Sequence, residues 1–173
     1  MFLTWCKNLW HWNIALKLKC FFWLALRNKI LNWDNLMRWG WLGPNPCCLC
    51  KKGPKFADHP FVLCNVSKEI WSLVLDILYI LGWWMEQSLE YNMRICMEHF
   101  YRFLEVPIFT CWGIWSGNAV IFNDRSINFG IIVDNIVCSY KEFHKEPNSK
   151  PGRCLLPIQG SKDIVGYFDG VAQ

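Results

Sequence analysis

Cys47, Cys50, His59 and Cys64 follow one another as C-x2-C, eight residues, then H-x4-C, and that spacing limits what the chain can fold into. Three thiolates and one imidazole suit a tetrahedral ion of borderline softness, above all Zn²⁺, which binds such ligands at about 2.0–2.3 Å. Four protein ligands close the coordination shell and leave no position for water or substrate. The expected cofactor is therefore one structural zinc ion. Cys48 stands beside Cys47, but a Cys48/Cys50 pair encloses a single residue, too short for the usual turn that directs two thiolates inward. Cys47 is the preferred ligand. His11, His99 and His144 lack paired ligands and read as surface or packing histidines.

The chain has ten cysteines, which in a secreted protein would suggest a disulfide framework, yet no charged, apolar and small-residue signal pattern opens it. A reducing, intracellular compartment is expected, cytoplasmic or nuclear. There Cys6, Cys20, Cys48, Cys96, Cys111, Cys138 and Cys154 serve mostly as small core residues. The longest apolar run, Ile70 to Trp84, is broken by Ser72 and Asp76 and falls short of a membrane span. No membrane partner is expected. With 53% hydrophobic residues, 12 Trp and 12 Phe, the chain can build a core and is too apolar to stay disordered.

Charge is unevenly spread. Residues 1–68 carry ten Lys and Arg against Asp34 and Asp58, whereas residues 69–124 carry two Arg against seven acids. The basic half also holds the metal motif, so a phosphate-binding surface is one expectation and solvated helix faces are the plainer one.

Hydrophobic periodicity predicts a mainly α fold: a small zinc-stabilised helical domain, a helical extension and a single C-terminal β-strand. Leu16, Cys20, Trp23 or Leu24, and Arg27 recur at helical spacing, on a segment apolar enough to be buried around most of its circumference. Asn32 is placed to cap a short helix from Trp33 to Trp39 that Gly40 ends. Val66, Ile70, Leu73 or Val74, Ile77, Leu81 and Trp84 predict the clearest amphipathic helix, with Cys64 at its start, where the helix dipole favours a thiolate. Met93, Met97, Phe100 and Leu104 predict another helix, and Pro107 opens the next, lined by Ile108, Cys111 or Trp112, Trp115, Ala119 and Phe122. Ile127 to Tyr140 is read as helix, with Ile131, Asp134 or Asn135, and Cys138 at helical offsets. The expected organisation is a zinc-binding domain over 1–85, a helical connecting region over 86–144, a Pro- and Gly-containing linker over 145–162 and the start of a further domain over 163–173.

Lys17, Phe21-Phe22-Trp23-Leu24-Ala25-Leu26, Asn28, Asp34-Asn35-Leu36, Gly40, Cys47, Cys50, Asp58-His59, Cys64, Ser67 and Trp71 together resemble the zinc-binding domain that follows the reverse transcriptase in plant LINE-like (non-LTR) retrotransposons. The likeness resumes at Trp112-Gly113-Ile114-Trp115 and Asn118 to Phe122, similar to the tryptophan-rich helix after that domain, and at Gly166 to Gln173, which look like the first strand of a ribonuclease H-like domain. Three departures stand out: Leu16-Lys17 where the family has Pro-Lys, and Trp39 and Gly117 where it has arginines.

The resemblance implies a non-catalytic, zinc-binding module of a retrotransposon polyprotein. Its implied partner is nucleic acid, RNA in the first place, together with the rest of the reverse transcriptase polyprotein. Lys17, Lys19, Arg27, Lys29, Lys51, Lys52 and Lys55 are the candidates for backbone contact, supplying affinity without sequence preference. For Phe21-Phe22-Trp23, core packing is favoured over base stacking. Asp169 matches the first metal-binding carboxylate of the ribonuclease H pattern, but hydrolysis needs further carboxylates that this sequence does not offer after it. No polymerase-type Asp-Asp pair occurs either, so no enzymatic activity is expected. The alternatives are a structural or protein-interaction module and a non-functional retrotransposon fragment.

Overall fold

The computed structural model describes residues 9–30, 32–40, 42, 47, 49–52, 58–80, 87–122 and 128–145. Side chains of residues 33 and 118–122 are outside that description, as are the expected linker beyond residue 145 and the expected C-terminal strand. Among the described residues the chain is mainly helical and contains no strand.

The helices are α1 (Leu16–Leu26), α2 (Trp33–Arg38), α3 (Asn65–Ile77), α4 (Leu89–His99), α5 (Glu105–Phe122) and α6 (Phe129–Phe143). A π-helical turn, His59–Leu63, precedes α3, and a 3-10 turn, Tyr101–Phe103, separates α4 from α5. Local chemistry sets the helix ends. Side chains of Asn32, Ser88 and Asn128 accept from the N–H groups of Asn35, Tyr91 and Gly130 and so cap α2, α4 and α6. Helix α1 closes as Lys29 N–H bonds Leu24 O at 2.8 Å and Asn28 N–H bonds Ala25 O at 3.0 Å, with Asn28 left-handed at φ 52°. Gly40, at φ 80°, ends α2 as expected.

Three asparagines fasten α2 to the end of α1. Asn35 donates to the carbonyls of Asn28 and Ile30 at 2.8 and 2.6 Å, and the Asn32 amide donates to the side-chain oxygen of Asn28. Asn32 and Asn35 are buried, so these bonds satisfy groups that would otherwise be costly to remove from water.

The extension and the metal-bearing region share one hydrophobic core. Helix α5 packs on α1, on α6 and on the π turn, while α3 packs on α6. Phe21 of α1 meets Trp112 edge-on at 5.1 Å between ring centroids and lies 6.2 Å from Phe61 of the π turn. Trp115 lies 6.2 Å from Phe61, completing an aromatic cluster that joins α1, the π turn and α5. Burial of Phe21 and Phe22 puts these rings in the core, as expected.

The seam between α5 and α6 depends on two glycines. A Cβ on Gly113 would fall 2.3 Å from Ile136 Cγ1, and one on Gly117 would fall 2.5 Å from Ile132 Cδ1. Glycines four apart on α5 thus receive isoleucines four apart on α6. This is why α6 buries Ile132, Val133, Ile136 and Val137 and exposes Ile131, a face rotated from the one its sequence offsets predict.

One other predicted face and two predicted helix lengths are also corrected. Helix α1 buries Leu18, Phe21, Phe22 and Ala25, leaving Leu16 exposed, because its inner side is chosen by the aromatic cluster on α5. The apolar pattern after Val66 does not run to Trp84 as one helix: α3 stops at Ile77, and Tyr79 at φ 56° turns the chain. Likewise the helix predicted through Phe100 and Leu104 breaks after His99. Phe100 leaves the helical conformation at φ −128°, Phe103 N–H closes the 3-10 turn on Phe100 O at 2.9 Å, and Pro107 falls in the first turn of α5, where its missing N–H is tolerated. No described helix is long and apolar enough to cross a membrane.

Candidate metal centre

The metal-binding residues come from two short segments brought together against α3. In the first, Lys51 N–H bonds Cys47 O at 2.8 Å and Lys51 takes φ 56°, a tight turn that folds Cys50 back beside Cys47. In the second, Cys64 N–H bonds His59 O at 2.8 Å across five residues, which brings His59 and Cys64 to one side of the π turn. Helix α3 fixes that turn from behind. Ser67 Oγ donates to Pro60 O at 2.6 Å and Trp71 Nε1 donates to Phe61 O at 2.8 Å. Trp71 and Ser67 are themselves buried, so both bonds act in a medium where losing one is expensive.

The ligand atoms of Cys47, Cys50, His59 and Cys64 all lie within 4.8 Å of one another. Cys47 Sγ and Cys64 Sγ are 3.9 Å apart, and Cys50 Sγ is 3.4 Å from His59 Nε2. A zinc tetrahedron with the usual bond lengths has S···S edges of about 3.8 Å and S···N edges of about 3.5 Å. These two edges match those of a zinc tetrahedron, and the remaining pairs lie within 4.8 Å, close enough for one ion to draw the four ligands together. Cys47 and Cys64 are fully buried, whereas Cys50 and His59 are half-buried, so the ion would sit at the edge of the core with one flank toward solvent.

Electrostatics divides the two buried thiols. The contact with Cys47 and the N–H groups of Ser67 and Val66 at the start of α3 outweigh burial and bring the Cys64 thiol down to about 4. Cys47 moves the other way, raised by its hydrogen bond to Cys64 and by burial. Two adjacent sulfurs cannot both carry full negative charge without a cation, and a divalent ion removes that conflict. Elsewhere, burial pushes the Cys96 and Cys111 thiols up, in keeping with neutral packing residues. All seven described cysteines are free of disulfides; Cys96 and Cys111 are buried and Cys20 and Cys138 half-buried, while Cys6, Cys48 and Cys154 lie outside the described residues.

Residues 2–71 match the family model described as zinc-binding in reverse transcriptase. The matched segment contains all four metal-site residues as well as Ser67 and Trp71. Neither the curated proteins nor the solved structures include a significant match to the chain. The family description and the ligand geometry agree on a zinc-binding module with one ion at Cys47, Cys50, His59 and Cys64.

The basic candidates have more varied surroundings. Lys17 Nζ lies 5.7 Å from the centroid of the Trp112 ring, Arg27 stacks 4.6 Å above Trp23, and Lys19 Nζ donates to Trp10 O at 3.0 Å. Lys29, Lys51 and Lys52 are exposed, the last two beside the metal turn, and Lys55 lies outside the described residues.

Sequence reasoning missed one support of the site and one seam elsewhere in the fold. The Asp58 carboxylate accepts from Leu89 N–H at 3.0 Å, so the residue before His59 also anchors the start of α4. A contact across 31 positions has no local signature. The glycine seam did have one, since glycines and isoleucines each repeat at four-residue spacing, but only the structure pairs them.

Proposed function

We propose that the chain is a non-catalytic zinc-binding module of a retrotransposon reverse transcriptase polyprotein, of the plant LINE-like kind, that binds nucleic acid, and RNA in particular. The observation that carries this reading is the Cys47, Cys50, His59 and Cys64 group within a segment matching a reverse transcriptase zinc-binding family. A four-ligand shell leaves zinc without an open position, which favours a structural ion over a catalytic one. The ion would crosslink the Cys47–Lys51 turn to the start of α3, and the turn would present Lys51 and Lys52 to phosphates. Residues 163–173 are, on this reading, the first strand of a ribonuclease H-like domain. The partners would then be RNA and the remainder of the polyprotein.

A structural or protein-interaction role is the second reading. It is favoured by Lys17, Lys19 and Arg27, which already have partners within the chain. Titration of zinc-loaded protein with a labelled single-stranded RNA at two salt concentrations separates the readings. Phosphate binding weakens steeply as salt rises, by a log–log slope of about −0.7 per phosphate contact on single strands. Affinity that ignores salt, or no affinity at all, overturns the nucleic-acid reading.

A further inference from the structure

We infer that Trp39 is a base-stacking platform for unpaired nucleotides, with Arg38 and Lys29 as its flanking phosphate contacts. The inference rests on the nucleic-acid reading above and adds to it a site and a strandedness.

The chain has 12 tryptophans, and most of those with described side chains are drawn into the core or its margin. Trp39 is 65% exposed, more than any other tryptophan whose side chain is described. Exposing so large a ring is unfavourable unless something else covers it. Its backbone is nevertheless firmly held. Trp39 is the C-cap of α2, its N–H bonds Leu36 O at 3.0 Å, and Gly40 turns the chain away at φ 80° immediately after it. The helix beneath is fixed by the buried Asn32 cap and by the Asn35 bonds to Asn28 and Ile30. An aromatic ring on a rigid support loses little freedom when a base stacks on it.

The charge around it matches such an occupant. Trp39 lies four residues beyond Asn35, hence on the same side of α2, the side fastened to the Asn28–Ile30 segment. That segment carries exposed Lys29, and Arg38 is exposed next to Trp39 itself. Residues 1–68 contain two acids, Asp34 and Asp58, against ten Lys and Arg; Asp34 lies one helical turn before Arg38 on α2 and offsets part of its charge, whereas Lys29 has no acid in its own segment. An exposed ring in a segment with a large excess of cations fits a nucleobase with its backbone phosphates better than an apolar protein surface, which offers those cations no partner. A duplex offers no free base face, so the site selects single strands.

The test uses the full zinc-loaded chain and anisotropy of a labelled 12-nucleotide single-stranded RNA, a blunt-ended duplex RNA without a loop, and inorganic polyphosphate. Trp39→Ala is expected to weaken single-strand binding roughly tenfold, with the salt slope unchanged and polyphosphate binding unaffected. Trp39→Phe should recover most of the loss. Lys29→Ala is expected instead to weaken all three ligands and to make the salt slope shallower. Equal single-strand affinity for Trp39→Ala and the unaltered protein overturns the platform while leaving nucleic-acid binding in place. Failure of the unaltered protein to bind any of the three overturns both readings. A loss with Trp39→Ala that extends equally to polyphosphate marks a disturbed fold and also overturns the platform. Tighter capture of an apolar peptide than of RNA, lost in Trp39→Ala, assigns the ring to a protein partner and does the same.

Discussion

The metal turn and the α5–α6 seam solve the same problem, holding two segments at a fixed approach, by opposite means. In the turn, four polar side chains from residues 47–64 converge on one point, and an ion supplies the attraction. In the seam, glycines 113 and 117 remove side chains so that Ile132 and Ile136 can approach the α5 backbone, and apolar burial supplies the attraction. The first arrangement is switchable by anything that removes the ion. The second has no switch, because its contacts are dispersed over many weak pairs. What joins them is the aromatic cluster of Phe21, Phe61, Trp112 and Trp115, which belongs to both sides.

The largest expected effect tests the metal side. Structural zinc sites contribute on the order of 10 kcal/mol of apparent binding energy, comparable to the whole stability of a typical domain. Chelation, or Cys47→Ser, is therefore expected to unfold the turn and loosen α1, α2 and the first turn of α3, with protection falling less in α5, α6 and the part of α3 that packs on α6. Native mass spectrometry should show one zinc per chain in the unaltered protein and none in Cys47→Ser, and hydrogen exchange should show where protection is lost. Added zinc should restore the chelated protein. Acid should act in the same direction, since protons compete with the ion for the thiolates, and zinc occupancy should fall as pH falls. Uniform loss of protection across all helices would erase the distinction between the two regions.

Next in size is the seam. Gly113→Ala places a methyl group against the stem of Ile136, which is buried and cannot move aside cheaply. A destabilisation of about 1–3 kcal/mol is expected, seen in urea unfolding, with zinc stoichiometry unchanged. Loss of zinc in this variant would mean that the seam, through the shared aromatic cluster, also sets the metal geometry.

An intermediate case lies at the junction. Ser67→Ala removes the donor to Pro60 O and leaves a buried carbonyl short of its partner, at a cost of about 1–3 kcal/mol. Because that bond braces the π turn, the loss should appear as weaker zinc affinity as well as lower stability, whereas Gly113→Ala should affect stability alone. Competition with a chromophoric chelator measures the first and urea unfolding the second. Unchanged zinc affinity in Ser67→Ala would show that the π turn is held by the ion rather than prepared for it.

The two regions were also unequally legible in the sequence. The metal-site residues could be read directly, because coordination chemistry fixes residue type and spacing within a short stretch. Asn32 as a cap and Cys64 at a helix start followed from equally local rules. Helix faces were less legible. In α1 and α6 apolar residues surround much of the helix, so periodicity alone could not say which side meets a neighbour; Phe21 and the glycine notches decide that. The long apolar pattern after Val66 failed for a different reason, since a backbone reversal at Tyr79 overrides a periodicity that continues past it.

That reversal supplies the smallest test. Tyr79 and Lys51 share φ 56°, a left-handed conformation that costs a side-chain-bearing residue about 1–2 kcal/mol, yet they lie in the two different regimes. At Tyr79 the geometry is enforced by the closure of α3, with Tyr79 N–H on Asp76 O at 3.1 Å and Ile80 N–H on Leu75 O at 2.9 Å. The ring itself is 91% exposed and buries almost nothing in return. Glycine relieves the strain but gives the unfolded chain more freedom, so Tyr79→Gly should gain only about 0.5–1 kcal/mol and raise Tm by a few degrees. Lys51→Gly relieves the same strain inside the metal turn. Its gain should therefore appear mainly as severalfold tighter zinc binding, because the turn and the ion form together. If Lys51→Gly raised the unfolding midpoint of chelated protein as Tyr79→Gly does, the Cys47–Lys51 turn would be folded without its ion, and the contrast between a metal-held and a packing-held region would fail at its most local point.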